Sequence, residues 1–166
     1  MAESFKANAD ATEWTIRLRE GMKWSDGRPF TADDIMFNYE DMIMNKDLTS
    51  APPAYLRVDG KVAEVSKVDA LTIKVKFAAP YGFFPLQIAS PAGWGFGITP
   101  KHYLQQFHAK YTKPEVLEEK VKAARVRSWS ALHERKSRMY RPENPELPCL
   151  DPWCNATAPP SSRFTF

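Results

Sequence analysis

The chain has 166 residues, of which 43% are apolar and 26% charged, with a net charge of +3. That is the balance of a globular protein with enough apolar mass for one domain's core. A charge so small and dispersed does not by itself imply nucleic acid, and no apolar run is long enough to span a membrane.

Residues 1–12 are polar and are expected to form a disordered lead-in. The opening, MAESFKANADATEW, has neither the basic start nor the apolar core of a secretory leader. From Glu13 a pattern begins. Trp14, Ile16 and Leu18 alternate with Thr15, Arg17 and Arg19, the period of a half-buried strand. Gly21 and Asp26-Gly27 are turn signals, and Met22-Lys23-Trp24 between them can pair back. The period then changes. Ala32, Ile35, Met36, Tyr39, Met42 and Ile43 recur at three and four, which predicts a helix over Ala32 to Met44. Thr31 is placed as its N-cap, Asp34 can complete a capping box, and Phe30 with Ile35 suits a hydrophobic staple.

After a loop from Asn45 to Asp59, Lys61–Val68 and Leu71–Phe77 read as a hairpin turning at Asp69-Ala70. In its second strand Leu71, Ile73, Val75 and Phe77 alternate with Thr72, Lys74 and Lys76, so the apolar set is predicted inward and the lysines outward. Pro80-Tyr81-Gly82 ends the strand, and Phe83 to Ala89 is expected as a short buried helix. The next stretch, Ser90 to Ile98, carries three glycines and two large aromatics, Trp94 and Phe96. Glycine permits close backbone approach, and aromatic faces are flat and apolar. Two readings stand: Trp94, Gly95 and Phe96 form a cleft wall that stacks a ligand, or a tight loop tucks both aromatics into the core.

Thr99 and Pro100 suit the start of a helix whose apolar face is Tyr103, Leu104, Phe107 and Tyr111. His102 and His108 lack ligand spacing, and His102 reads as a hydrogen-bonded structural histidine. Pro114 is expected to open one long helix to about Met139. Its basic stretch from Arg125 reads as a solvated face, with a nucleic-acid or protein contact as the alternative. From Arg141 prolines recur and exclude regular helix. Cys149 and Cys154 bracket CLDPWC, either as a small disulfide loop or as two incidental thiols. Two cysteines offer too few ligands for a metal site. No nucleophile elbow, phosphate loop or dinucleotide fingerprint is present, so neither an enzyme nor a cofactor is expected.

The string IRLREGMKWSDGRPFTADDIMFNYE resembles the signature of the peptide/nickel class, family 5, of ABC-transporter extracellular solute-binding proteins. Leu18, Arg19, Gly21, Trp24, Ser25, Asp26, Gly27, Pro29, Thr31, Ala32, Asp34 and Ile35 match it in order and spacing. Pro100, Lys101 and His102 match a further element. Leu147, Pro148, Leu150, Asp151, Pro152 and Trp153 match a segment of one branch. The resemblance implies an α/β fold, here an α+β fragment: part of one lobe of a two-lobed, periplasmic-binding-protein type II-like protein that closes on its ligand by hinge motion. Residues 13–140 would be the partial lobe and 141–166 a Pro-rich segment leading into a truncated strand. The implied role is capture of a solute, most readily a peptide, with oligosaccharides or nickel complexes as alternatives. Delivery would be to ABC permease subunits, from the periplasm or the outer face of the membrane. No nucleic-acid partner is implied. A piece of a lobe should expose a strand edge and self-associate.

Overall fold

In the computed structural model, which describes residues 1–91, 93, 95–138, 144–154, 156–157 and 163, the chain divides into two units. The first comprises Met1–Met22 and Pro29–Thr99, the second Lys23–Arg28 and Pro100–Phe166. This division differs from the single segment 13–140 expected from the sequence.

The first unit is built on an antiparallel sheet. Strand β1 (Ala2–Ala7) pairs with β2 (Glu13–Leu18), so residues 2–7 are not the disordered lead-in that their polarity suggests. The turn chemistry between the strands explains the difference. Asp10 Oδ1 accepts from Thr12 N at 3.1 Å and from the Thr12 hydroxyl at 2.7 Å, and Asn8 Oδ1 accepts from Glu13 N at 2.9 Å. Side-chain turns of this kind set a hairpin register without apolar residues.

Thr31 caps helix α1 (Ala32–Met36): its Oγ1 accepts from Asp33 N, and Asp34 Oδ2 accepts from Thr31 N. Such a cap contributes about 1 kcal/mol. Phe30 and Ile35, the expected staple pair, are both buried. From Phe37 to Ile43 the helix widens into π-helix and closes with Met44 N donating to Tyr39 O. The widening changes which residues face inward. Ala32, Ile35 and Ile43 are buried as the three–four spacing predicts, but Phe37, Asn38 and Asp41 are buried too, while Met36, Tyr39 and Met42 are half-exposed.

A two-stranded ribbon follows, β3 (Arg57–Val58) with β4 (Lys61–Val62). Next come β5 (Glu64–Lys67) and β6 (Thr72–Lys76), and the main sheet runs β1-β2-β6-β5. Trp14 stands opposite Val75 and Ile16 opposite Ile73. Ile73, Val75 and Phe77 are buried while Lys76 is exposed, and Lys74 leans out to Glu13 at 2.7 Å. The alternation seen in the sequence therefore holds from Ile73 to Phe77, while Thr72 is buried as well and Leu71 is only half-buried. Each large apolar side chain so buried contributes roughly 1.5–3 kcal/mol. Helix α2 (Phe84–Ile88) is short as expected but only partly buried. Phe84 is inside, whereas Phe83 and Leu86 remain 69% and 67% exposed.

In the second unit α3 (Lys101–Leu104) runs into a 3-10 turn, Gln105–Phe107. Pro100 rather than Thr99 occupies its cap position. The expected long helix is two helices, α4 (Pro114–Ala123) and α5 (Trp129–Ser137). Arg125 adopts φ +53°, which ends α4, and the Ser128 hydroxyl accepts from Ala131 N to start α5. Cys149 and Cys154 are joined as a disulfide with their Cα atoms 6.2 Å apart, the first of the two readings of CLDPWC. Among the described residues no helix is long and apolar enough to cross a membrane.

Candidate functional site

The glycine-rich loop after α2 belongs to the first unit, and its geometry is set by two glycines and one asparagine. At Gly93 a Cβ would lie 2.3 Å from Ile88 Cα and 2.4 Å from Gln87 O, so no other residue fits against the end of α2. At Gly97 φ is +79° and a Cβ would lie 2.9 Å from Ile35 Cγ1. Asn38, buried on the π-helical turn, holds this end: Gly97 N donates to its Oδ1 at 3.2 Å, and its Nδ2 donates to Thr99 Oγ1 at 2.8 Å. Thr99 thus serves as a buried acceptor, in place of the helix-capping role expected of it.

Of the three candidate wall residues, Gly95 is exposed, Phe96 is buried at 8%, and Trp94 lies outside the described residues. Phe96 meets Tyr55 edge-to-face at 6.1 Å and Phe84 at 6.5 Å. Phe84 continues the stack to Phe77 at 5.0 Å and Trp14 at 6.2 Å, and Trp14 Nε1 donates to Tyr81 O at 3.2 Å. Offset and edge-on aromatic pairs of this kind add roughly 0.5–1.5 kcal/mol each beyond burial. Burial pushes the Tyr55 hydroxyl up to about 12, so it stays neutral. The Phe96 ring therefore anchors the loop, while Gly95 and the outward side chains of α2 offer surface. Asn38 and Tyr55 carry this arrangement. Neither was singled out in the sequence, where an isolated Asn in a helical stripe gives no signal.

The signature turn belongs to the second unit. His102 Nε2 lies 2.7 Å from Asp26 Oδ2, and the His102 ring stands edge-on to buried Trp24 at 6.3 Å. His102 is thus the hydrogen-bonded histidine expected from the sequence. Burial works to raise the Asp26 carboxyl, but hydrogen bonds from Arg28 N and His102, with their charges, outweigh it and hold the group below the usual carboxylate range. Ser25 N donates to Cys149 O at 2.9 Å and Cys149 N donates to Ser25 Oγ at 3.1 Å, which ties the disulfide loop to this turn. Turn, cap and disulfide are all held by structural contacts. Among the described residues no group of three His, Cys, Asp or Glu side chains could hold a metal ion.

Comparison with known proteins gives the class. The sequence model described as "Bacterial extracellular solute-binding proteins, family 5 Middle" matches residues 1–132, and the chain belongs to this family. It is 34% identical over 112 residues to the periplasmic alpha-galactoside-binding protein of Rhizobium meliloti (strain 1021), covering 67% of this chain and 16% of that protein. It is 30% identical over 130 residues to the periplasmic oligopeptide-binding protein OppA of Escherichia coli (strain K12), covering 69% of this chain and 23% of that one. Among solved structures, an oligopeptide-binding protein OppA superposes with a TM-score of 0.85 at 36% identity, over 98% of this chain and 24% of that chain. The chain thus spans less than a quarter of the length of each of these relatives.

Proposed function

We propose that the chain is part of one lobe of an ABC-importer substrate-binding protein that captures a peptide outside the cytoplasmic membrane and hands it to permease subunits. The observation that carries this reading is the family match across residues 1–132, joined to a likeness of 36% identity and TM-score 0.85 with an oligopeptide-binding protein. The role is binding and release rather than catalysis. The place of action is the periplasm or the outer face of the membrane, in keeping with relatives named as periplasmic. An oligosaccharide is the second reading, favoured by the 34% identity with an alpha-galactoside-binding protein.

Within this role the loop Trp94-Gly95-Phe96 contributes to the ligand-facing wall. Gly95 is exposed, Phe96 pins the loop from beneath, and Phe83 and Leu86 present apolar surface on the helix against which Gly93 packs. Loops held on a rigid scaffold are where binding residues concentrate. The test is calorimetry on a protein long enough to carry both lobes, with a set of short peptides and a set of α-galactosides. Trp94→Ala should weaken peptide affinity about tenfold or more, with the melting temperature little changed. Unchanged affinity with a large loss of stability would reject the wall and make Trp94 a core residue. Saturable binding of galactosides alone would replace the peptide.

A further inference from the structure

A second concavity lies in the helical unit, away from the glycine loop's residues in sequence and in kind. It measures about 420 Å³ between the C-terminal end of α4 and the last turn of α5, and its described lining is Ala123, Ala124, Arg125, Arg135, Lys136 and Asn144. Three of the six are cationic and none is acidic. We propose that this pocket is a binding site for a phosphate-type oxyanion.

Two of these cations are hydrogen-bonded to neutral groups. Arg135 Nη1 donates to Ala124 O at 3.1 Å, and Lys136 Nζ donates to Asn144 Oδ1 at 3.3 Å. The buried Asn144 amide is itself fixed, donating to Lys136 O at 2.8 Å and accepting from the Tyr103 hydroxyl at 3.1 Å. Of the described carboxylates nearby, Glu134 pairs with Arg138, and Glu146 accepts from the Tyr103 hydroxyl. Lys120 adds to the field. It and Lys136 stand over the Phe107 ring at 4.9 and 5.5 Å. Burial, then the charge of Lys136, hold the Lys120 ammonium below its ordinary range. Two guanidinium groups beside an ammonium suit the tetrahedral oxygens of a phosphate, which accept paired N–H donors.

Backbone conformation gives an independent reason. Arg125 occupies the left-handed position that closes α4, with φ +53°, where Arg125 N reaches Lys122 O and Val126 N reaches Val121 O. Glycine holds this conformation without strain, and any residue bearing a Cβ pays in stability. A strained arginine that lines a basic pocket is accounted for by what its side chain binds.

The strain makes the proposal separable from a folding effect. The 166-residue chain is titrated with sodium phosphate against sodium chloride at matched ionic strength, followed by amide NMR shifts. Vesicles of phosphatidylglycerol and of phosphatidylcholine form a second arm. Saturable, phosphate-specific shifts at residues 123–125 and 135–136 are expected. Arg125→Gly should raise the melting temperature by a few degrees and lower phosphate affinity about tenfold, a pair of changes that misfolding cannot produce. Arg135→Gln should weaken binding likewise. Binding of phosphate in solution assigns the site to a soluble phosphate, and binding to phosphatidylglycerol vesicles alone assigns it to a lipid headgroup. The absence of both, or an affinity untouched by Arg125→Gly, overturns the proposal.

Discussion

Asn38 and Thr99, 61 residues apart, are joined by a buried hydrogen bond of 2.8 Å from Nδ2 to Oγ1. The same amide accepts from Gly97 N, so one side chain determines where the glycine loop ends. Asn38→Ala leaves a buried hydroxyl and a buried N–H without these partners, and a cost of about 1–3 kcal/mol is expected in urea unfolding. Amide exchange at Gly97 should speed up along with it. A variant as stable as the parent, with Gly97 equally protected, would show that the loop is held by Phe96 alone.

Acid should unfold the helical unit through His133. Its ring is fully buried, and burial, then the charge of His108, push its pKa down from 6.5 to about 4. The unfolded chain takes up this proton near the ordinary value, while the folded chain resists. The stabilising contribution is therefore complete above about pH 6.5 and declines as pH falls towards 4, by about 3 kcal/mol in all. Melting temperature measured from pH 7 to pH 4.5 should fall, and His133→Leu should flatten that slope. An equal slope in the variant would place the acid sensitivity in another group.

The two faces of β6 should respond oppositely to truncation. Val75 is fully buried and Lys76 exposed. Val75→Ala should cost about 2 kcal/mol through lost burial and the space left behind, whereas Lys76→Ala should change stability by no more than about 0.5 kcal/mol. Comparable losses at both positions in denaturant unfolding would mean that the strand pairs in a different register.

Self-association should run through the outer edge of β1. That strand ends the sheet, and Phe5 on it is 39% exposed. An open edge offers unpaired N–H and C=O groups to another chain. Light scattering is expected to show dimers or larger species, and Phe5→Pro, at a position whose N–H faces away from β2, should reduce them. A clean monomer of the parent chain at high concentration would end this expectation.

What could be read in the sequence was local. The Thr31 cap and the alternation through Val75 and Phe77 depend on neighbours within a few residues, and the structure forms both. The π-helical turn could not be read, because the three–four pattern of an α-helix assigns Asn38 to the outside, and only its partners Gly97 and Thr99 make burial favourable. The break at Arg125 was hidden for a related reason: arginine carries no turn signal, yet here it takes the left-handed conformation that closes α4. At the candidate site the spacing of glycines was informative, since Gly93 and Gly97 both sit where a Cβ would clash. That Phe96 anchors the loop was not, because its burial depends on Tyr55 and Phe84, brought up from distant parts of the chain.

The tie between Ser25 and Cys149 has a consequence for how the polypeptide is made. These residues are 124 positions apart, and both hydrogen bonds of the tie need the later one. Closing a flexible loop of that length carries an entropic cost of about 4 kcal/mol, and contacts of such separation form late. On a ribosome, or while threading through an export channel, the turn at Ser25 emerges long before its partner. It must wait, solvated, for the CLDPWC segment. The tie at Ser25 therefore closes only after residue 149 has been made, whatever the rest of the early chain has already formed.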